Sequence, residues 1–315
     1  MKTRCGLALL VVLAAPSAAS AAQGPLLSLT PERVTGSAAN RVALAGQPWR
    51  VRVVMQPFVA GQTATVRFYR HGHKLRAVNV NLLQSSTGKS GYALVAFKTS
   101  TAGSVQVKAT HLATPTAPQL VAKPVRVNVA ALHVGPGARG PAVRLLQSQL
   151  SALGYVVGRR GLYDDRTARA VLAFRKVAGM SRTTSASADV FRALAKGKGA
   201  FRVRHPDHGK HVEADLSEQV IALIRGSKVE RIYPASSGKP STPTVQGTFR
   251  VYSKSPGFNA KGMYFSNYFI RGFAIHGYAE VPVFAASHGC LRVPIPDAIP
   301  IYNWIKIGDI VDVYP

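Results

Sequence analysis

The chain is almost without cysteine: its 315 residues hold two, Cys5 and Cys290. A small scaffold stapled by disulfides is therefore excluded. Acidic residues are few as well. Thirteen Asp and Glu stand against 40 Lys and Arg, a net charge of +27, and an excess of that size favours polyanionic surroundings. Long apolar runs are also missing. No stretch beyond the N-terminus approaches the roughly 18 apolar residues of a spanning helix. No zinc-finger, RNP or comparable motif occurs, so the basic excess is not assigned to nucleic acid.

What is present begins with "MKTRCGLALLVVLAAPSAAS". Lys2 and Arg4 precede the short apolar run Gly6–Ala15, and small residues follow at Ala19-Ser20-Ala21. That order reads as a secretory signal peptide over residues 1–22. Cys5 lies before the apolar run, where a lipoprotein cysteine cannot be, and it leaves with the signal. The mature chain then carries a charge of +25 and one cysteine, Cys290. An odd cysteine in a secreted protein implies a reactive thiol or an intermolecular bridge. Outside the cell, in a wall or periplasm, the basic surface suits anionic wall polymers or membrane surfaces. Its residues are spread through every region, which fits a merely solvated surface equally well. No transmembrane segment is expected after signal removal.

A hydrophobic content of 47% supplies a core, and the length suggests about two domains or three small ones. Residues 25–131 read as all-β. "WRVRVVMQPF" alternates from Trp49 through Val51 and Val53. "TATVRFYRHGHKLRAVNV" reads as two strands around the turn Arg70–His73, and "GYALVAFKT", "GSVQVKAT" and "KPVRVNVAAL" follow. Short, evenly spaced strands indicate a β-sandwich. Without a Cys…Trp…Cys pattern it is immunoglobulin-like in architecture only. His71 and His73, beside a turn glycine, read as exposed hairpin residues.

The Gly- and Pro-rich "HVGPGARGPAV" marks a boundary. Three helices are expected over residues 135–197. The first starts at Pro141 and keeps Val143, Leu146, Leu150 and Leu153 on one face. The second follows Asp164-Asp165, which can cap it, and presents Val171, Leu172 and Phe174. The third begins near Ser187 with Val190, Phe191 and Leu194. Gly140, Val143, Leu146, Gln147, Leu150, Leu153, Gly154, Tyr155, Gly161, Tyr163, Thr167, Ala170, Val171 and Phe174 match the pattern of a three-helix peptidoglycan-binding domain, which this region resembles. Arg160, Asp164 and Arg175 stand where that family has an acid, a second glycine and a glutamine, so a spacer that does not hold glycan is also compatible.

"AKGKGAFRVRHPDHGKH" reads as a basic linker. His205, His208 and His211 recur in it at spacing three, but Pro206 and Gly209 oppose a continuous helix, so no shared face and no metal site are expected. From residue 210 to 315 the alternation resumes. "HVEADLSEQVIALIRGSKVERIYPAS" reads as a two-stranded hairpin turning at Gly226-Ser227. "GTFRVYSK" and "YFIRGFAIHG" follow as strands, "PDAIPIYNWIKIG" as one short helix, and "DIVDVYP" as a closing strand.

The chemistry concentrates in "IHGYAEVPVFAASHGCLRVP". Cys290 lies 14 residues after His276 and two after His288. A thiol of pKa about 8.5 is a poor nucleophile until a base takes its proton, and a nearby imidazole can do so. His276 ends an apolar strand, where a scaffold can fix it. Gly277 frees the backbone that follows, and its carbonyl can orient the ring. Gly289 lets the chain turn so that N–H groups near Cys290 face a developing oxyanion. Zinc on His276, His288 and Cys290 is the weaker chemistry, since no carboxylate but Glu280 lies in the stretch.

His276 followed by Ser287-His288-Gly289-Cys290-Leu291-Arg292, with "SSGKPSTPTVQGTFRV" upstream, closely resembles the L,D-transpeptidase catalytic domain of the YkuD type. Two features depart: the ten residues between His276 and Ser287 are fewer than in many members, and Arg292 replaces the Asn of some. The resemblance implies a mostly-β domain and cofactor-free acyl transfer on peptidoglycan. Cys290 would attack the carbonyl of the third residue of a tetrapeptide stem, release D-alanine, and pass the acyl group to an amine of a second stem as a 3→3 cross-link. His276 would move the proton, Gly277 orient it, and Gly289 and Cys290 donate to the oxyanion. Ser287 and His288 would shape the turn and acyl pocket. Arg292 would contact substrate, and Tyr264 and Tyr278 would line its path, with packing in the core or at the rim as the alternative for each. An L,D-carboxypeptidase with the same thioester, and a non-catalytic wall-binding protein, remain as alternatives.

Overall fold

The computed structural model describes residues 24–39 and 41–315. The expected signal peptide, with Cys5, lies outside the described residues. Ten strands come first: β1 (Leu26–Glu32), β2 (Val42–Leu44), β3 (Trp49–Gln56), β4 (Thr63–Arg70), β5 (His73–Asn81), β6 (Leu83–Gln84), β7 (Gly91–Phe97), β8 (Gly103–His111), β9 (Leu120–Val121) and β10 (Val125–Ala130). They form one sheet of order β1-β3-β7-β6 and another of order β2-β10-β8-β4-β5, with β9 paired to β8. The alternation of β3 sets Trp49, Val51, Val53 and Met55 inward, where they share a core with Val66, Phe68, Val105, Val107 and Val127. Trp49 stands edge-on to both Phe68 and Phe97. This is the expected sandwich, and His71 and His73 lie exposed at its hairpin.

Three helices follow: α1 (Pro141–Ala152), α2 (Asp165–Val177) and α3 (Ala188–Ala195). Pro141 opens α1. Asp164 caps α2, accepting from the Thr167 amide at 2.9 Å. Gln147 is buried and donates to the Arg159 and Leu162 carbonyls, which fixes the loop between α1 and α2. Arg175, also buried, donates to Ser185 O at 2.9 Å and Ser187 Oγ at 2.7 Å and pairs with Asp189. It thereby ties the end of α2 to the start of α3.

The C-terminal part contains β11 (Lys210–Asp215), β12 (Val220–Arg225), β13 (Lys228–Pro234), β14 (Gly247–Arg250), β15 (Ser253–Phe258), β16 (Tyr264–Ile270), β17 (Phe273–Tyr278), β18 (Leu291–Pro294), α4 (Ile295–Trp304) and β19 (Ile310–Tyr314). One sheet has order β13-β12-β11-β19-β14, the other β15-β16-β17-β18. Two sequence expectations change. The expected two-stranded hairpin is a three-stranded meander, because the chain also turns between Asp215 and Val220, with Gln219 left-handed at φ 58°. Asp215 Oδ1 accepts the Glu218 amide there. "GTFRVYSK" is two strands, β14 and β15, in different sheets. The buried Val251 at the break bonds through its amide to Asp309 O.

The five-stranded sheet is covered on both faces. Ile221 and Leu223 point into a core with Val293, Ala298 and Ile301. Val220, Ala222, Ile224 and Ile232 point the other way, into the helices, and pack with Leu150, Tyr155 and Phe174. Each such aliphatic side chain stabilises by roughly 1.5–3 kcal/mol relative to exposure. Polar links cross the same junction. Arg169 on α2 makes a two-pronged bond to Asp297 on α4, at 2.7 and 3.0 Å. The buried Lys176 amine donates to Gln219 O and Ala235 O, each at 2.9 Å. No helix among the described residues is long and apolar enough to cross a membrane.

Candidate active site

His276 and Cys290 come from neighbouring parallel strands. β17 pairs with β18 so that Ile275 faces Leu291 and His276 faces Arg292. Cys290 is the residue before β18, at the mouth of the pair. The turn that delivers it demands glycine at 289. Gly289 has φ 108°, and a Cβ there would lie 1.9 Å from the Phe273 ring. Gly277 is needed for a different reason: a Cβ would come 2.7 Å from the Ala298 Cβ, and α4 could not pack beneath His276.

Ser287 organises the turn from inside. Its buried hydroxyl donates to Cys290 O at 2.6 Å and accepts the Gly289 amide at 3.1 Å. The Gly289 N–H is thus occupied by Ser287 rather than free for an oxyanion, a difference from the sequence expectation. The segment after β13 braces the turn. Ser287 N donates to Ser237 O, Lys239 N and Thr242 Oγ1 donate to Ser287 O, and Arg292 N donates to Ser236 O. The sequence offered these upstream residues only as part of a resemblance.

Cys290, His276, Ser287, His288, Arg292 and Tyr278 line one pocket of about 680 Å³, together with Asn259, Lys261, Met263, Tyr268 and Phe273. Tyr264 is not brought to it. That ring packs instead against Phe258 and Phe265, at 4.4 and 4.6 Å, because β16 turns it toward the far face. Lys261, Asn259 and Tyr268 were missed by sequence reading. Asn259–Gly262 carries turn residues, but only the pairing of β15 with β16 sets that turn over the thiol.

The electrostatics follow from burial. His276 is 3% exposed, and its Nδ1 lies 2.9 Å from Gly277 O. A carbonyl only accepts, so Nδ1 carries the proton and Nε2 keeps its lone pair. Burial, aided by the Arg292 charge, pulls the imidazole down to about 4 against the pull of the Gly277 carbonyl. Burial raises the half-buried Cys290 thiol, while an Ala274 backbone bond and the charges of Arg292 and Lys261 act the other way. Burial thus favours the neutral form of both groups. The thiol makes a long contact, 3.8 Å, to Gly272 O. The Arg292 guanidinium lies 4.0 Å over the Tyr278 ring, which stands edge-on to His276 at 5.7 Å. Among the described residues lining the pocket, Lys261 and Arg292 are cationic and none is acidic. Arg182, beyond α2, donates to Val283 O at 2.7 Å and to Ser217 O at 2.8 Å.

Comparisons with known proteins place this architecture. The family model of the L,D-transpeptidase catalytic domain matches residues 209–313, and that of a peptidoglycan binding domain matches residues 139–194. The crystal structure of the L,D-transpeptidase from Xylanimonas cellulosilytica DSM 15894 is 32% identical and covers 59% of this chain and 98% of its own, with a TM-score of 0.53. L,D-transpeptidase 1 of Mycobacterium tuberculosis (strain ATCC 25618 / H37Rv) is 28% identical over 126 residues, 32% of this chain and 48% of that protein. The match thus spans about half the length of the curated relatives. A mostly-β catalytic-type unit behind a helical module of the peptidoglycan-binding type is the class these findings define. The chain belongs to the L,D-transpeptidase family.

Proposed function

We propose that the chain is an extracytoplasmic L,D-transpeptidase that cross-links peptidoglycan through a thioester on Cys290. The observation that carries this reading is that a fixed imidazole and a thiol, delivered by adjacent parallel strands, open into one pocket bordered by two cations. His276 Nε2 takes the Cys290 proton as Sγ attacks the carbonyl of the third stem residue. The C–N bond to D-alanine breaks, and the same proton passes to the leaving amine. The amine of a second stem then attacks the thioester, gives its proton to His276 and frees the thiol as a 3→3 cross-link forms. Low-dielectric burial keeps both groups neutral at rest, so the transfer occurs on attack. The Cys290 amide serves as an oxyanion donor, and the Gly289 amide joins it only if Ser287 lets go. Lys261 and Arg292 suit the stem's carboxylates. The helical module holds the chain to glycan, and the sandwich acts as a spacer that carries the catalytic unit through the wall.

The test is incubation with purified disaccharide-tetrapeptide, read by mass, beside Cys290→Ala. Loss of D-alanine with formation of a cross-linked dimer, both absent in the variant, is the expected result. Loss without dimer makes the protein an L,D-carboxypeptidase on this substrate. No Cys290-dependent change overturns the catalytic reading in favour of a wall-binding protein.

A further inference from the structure

The three linker histidines, whose spacing did not place them on one face, are gathered by the fold. His205-Pro206-Asp207-His208 is a β-turn closed by a bond from His208 N to His205 O at 3.1 Å. Proline in its second position favours such a turn. The turn is anchored from below. The Arg204 and His205 amides both donate to the carboxylate of Glu213, which is fully buried on β11. Beside Glu213 in the parallel pairing of β11 with β19 stands Asp312, 1% exposed. Its Oδ1 accepts from Thr248 Oγ1 at 2.7 Å and its Oδ2 lies 3.0 Å from His208 Nδ1. Nitrogen atoms of His205 and His208 and an oxygen of Asp312 all fall within 4.8 Å of one another.

A buried carboxylate needs a compensating cation; the neighbouring fixed charges are engaged elsewhere, and the His211 ring is bonded to Gly209 O and Glu213. Arg204 lies over the Tyr314 ring and donates to Pro315 O. Lys210 pairs with Asp309 and lies over Trp304. Asp312 has one partner on each oxygen, and each oxygen can accept a second. We propose that His205, His208 and Asp312 form a divalent-metal site of the zinc class, which clamps the linker turn to β19. Two imidazoles and one carboxylate are a common ligand set for such an ion. Two atoms sharing a tetrahedral ion at about 2.0–2.1 Å lie roughly 3.3 Å apart, close to the 3.0 Å between His208 and Asp312. The His205 ring, half-buried on the turn surface, stacks nearly parallel on His208 at 4.8 Å; closing the set requires it to rotate in, with a water in the fourth position. The site shares no residue with the thiol pocket. It is a structural clamp, not part of the acyl transfer.

The test uses protein carrying Cys290→Ala, so that the thiol cannot bind metal, after treatment with EDTA. Zn²⁺ titration by calorimetry is expected to show one ion per chain, and Co²⁺ to give the visible absorption of a low-coordinate nitrogen–oxygen site. Zn²⁺ should also raise the melting temperature, because it binds the folded state alone. His205→Ala, at a half-buried turn position that leaves the Thr248, Asp312 and His208 contacts in place, should weaken binding by more than about tenfold, at least the loss that even outer-shell partners cause. His208→Ala should do the same. No stoichiometric binding overturns the proposal, as does binding that survives His205→Ala. Binding lost with His288→Ala instead places the ion in the thiol pocket and also overturns it.

Discussion

Strands β3 and β12 are both apolar, yet they are buried in different ways. β3 alternates buried and half-exposed residues along "WRVRVVMQ". β12 is buried at five consecutive positions, "VIALI". The first is covered on one face by the opposite sheet of the sandwich. The second is covered on both faces, by the catalytic core below and the helices above. A sandwich strand can thus keep a wet face, whereas the C-terminal sheet has its helical module as an outer wall. The same contrast holds for two buried histidines. His111 in the sandwich and His276 in the pocket each place Nδ1 on a backbone carbonyl, at 2.7 and 2.9 Å. The Nε2 of His111 is sealed in without a partner, while the pocket opens onto His276. One arrangement is packing and the other leaves a ring nitrogen open to the pocket.

This comparison can be broken at several points. The largest effect is expected from deletion. Removing residues 25–131 should leave a soluble, cooperatively melting remainder. Removing residues 132–197 as well strips the cover from Val220, Ala222, Ile224 and Ile232, and should cost solubility and cooperative melting. Equal behaviour of the two truncations would show that the helices are not a wall.

The next effect separates the two imidazoles. His276→Ala should lower the transpeptidation rate by about 10²–10⁴-fold, and His111→Gln should leave it unchanged. Because burial holds His276 down to about 4, the imidazole stays neutral and able to accept a proton as pH falls from 7 to 5. The pH profile of kcat/KM should therefore show no acid limb near 6.5, and such a limb would contradict a buried base.

Ion pairs give a third contrast. Arg169→Ala strands the buried Asp297, with only Arg166 left at 4.0 Å, and should cost about 3 kcal/mol in urea unfolding. Arg50→Ala in the sandwich leaves Glu32 its bond to Arg52 at 2.6 Å at a wetter site. It should cost about 0–1 kcal/mol.

The smallest effect is a slope. Burial, with the Arg182 charge second, lowers the Lys176 amine to about 7, against about 10.4 in an unfolded chain. Between those values the unfolded chain binds the extra proton, so this group makes stability rise with pH. Lys176→Met should remove that rise between pH 7 and 9. The comparison is made by urea unfolding with Cys290→Ala in both proteins, so that the thiol does not titrate.

Local signals were legible in the sequence and long-range placement was not. Pro141 at the first helical position of α1, Asp164 capping α2 and Ser187 before α3 announced the helices, because helix starts are settled within one turn. The alternation of β3 announced the sandwich. The turn before β12 was missed because Leu216–Gln219 contains neither Gly nor Pro, and its left-handed residue is a glutamine. The contiguous Ser287-His288-Gly289-Cys290 run and His276 upstream pointed to one place, and the structure brings His276 and Cys290 to one pocket. Tyr264 takes the packing role of its two alternatives, because strand pairing and not motif distance sets which face a ring takes. His208 and Asp312 are 104 residues apart, and only a parallel strand pair makes them neighbours.

That pair sets a timetable for biogenesis. β19 does not border its sheet but lies between β11 and β14, and the Tyr314 hydroxyl reaches Glu213 across 101 positions of sequence. During synthesis β11 emerges long before its partner, and the middle of the sheet stays open until the residues through Tyr314 have been made. Closing so long a loop is slow, and the unpaired strands are exposed meanwhile. The Cys290 turn precedes β19 in the chain, so the thiol is made before the five-stranded sheet can close.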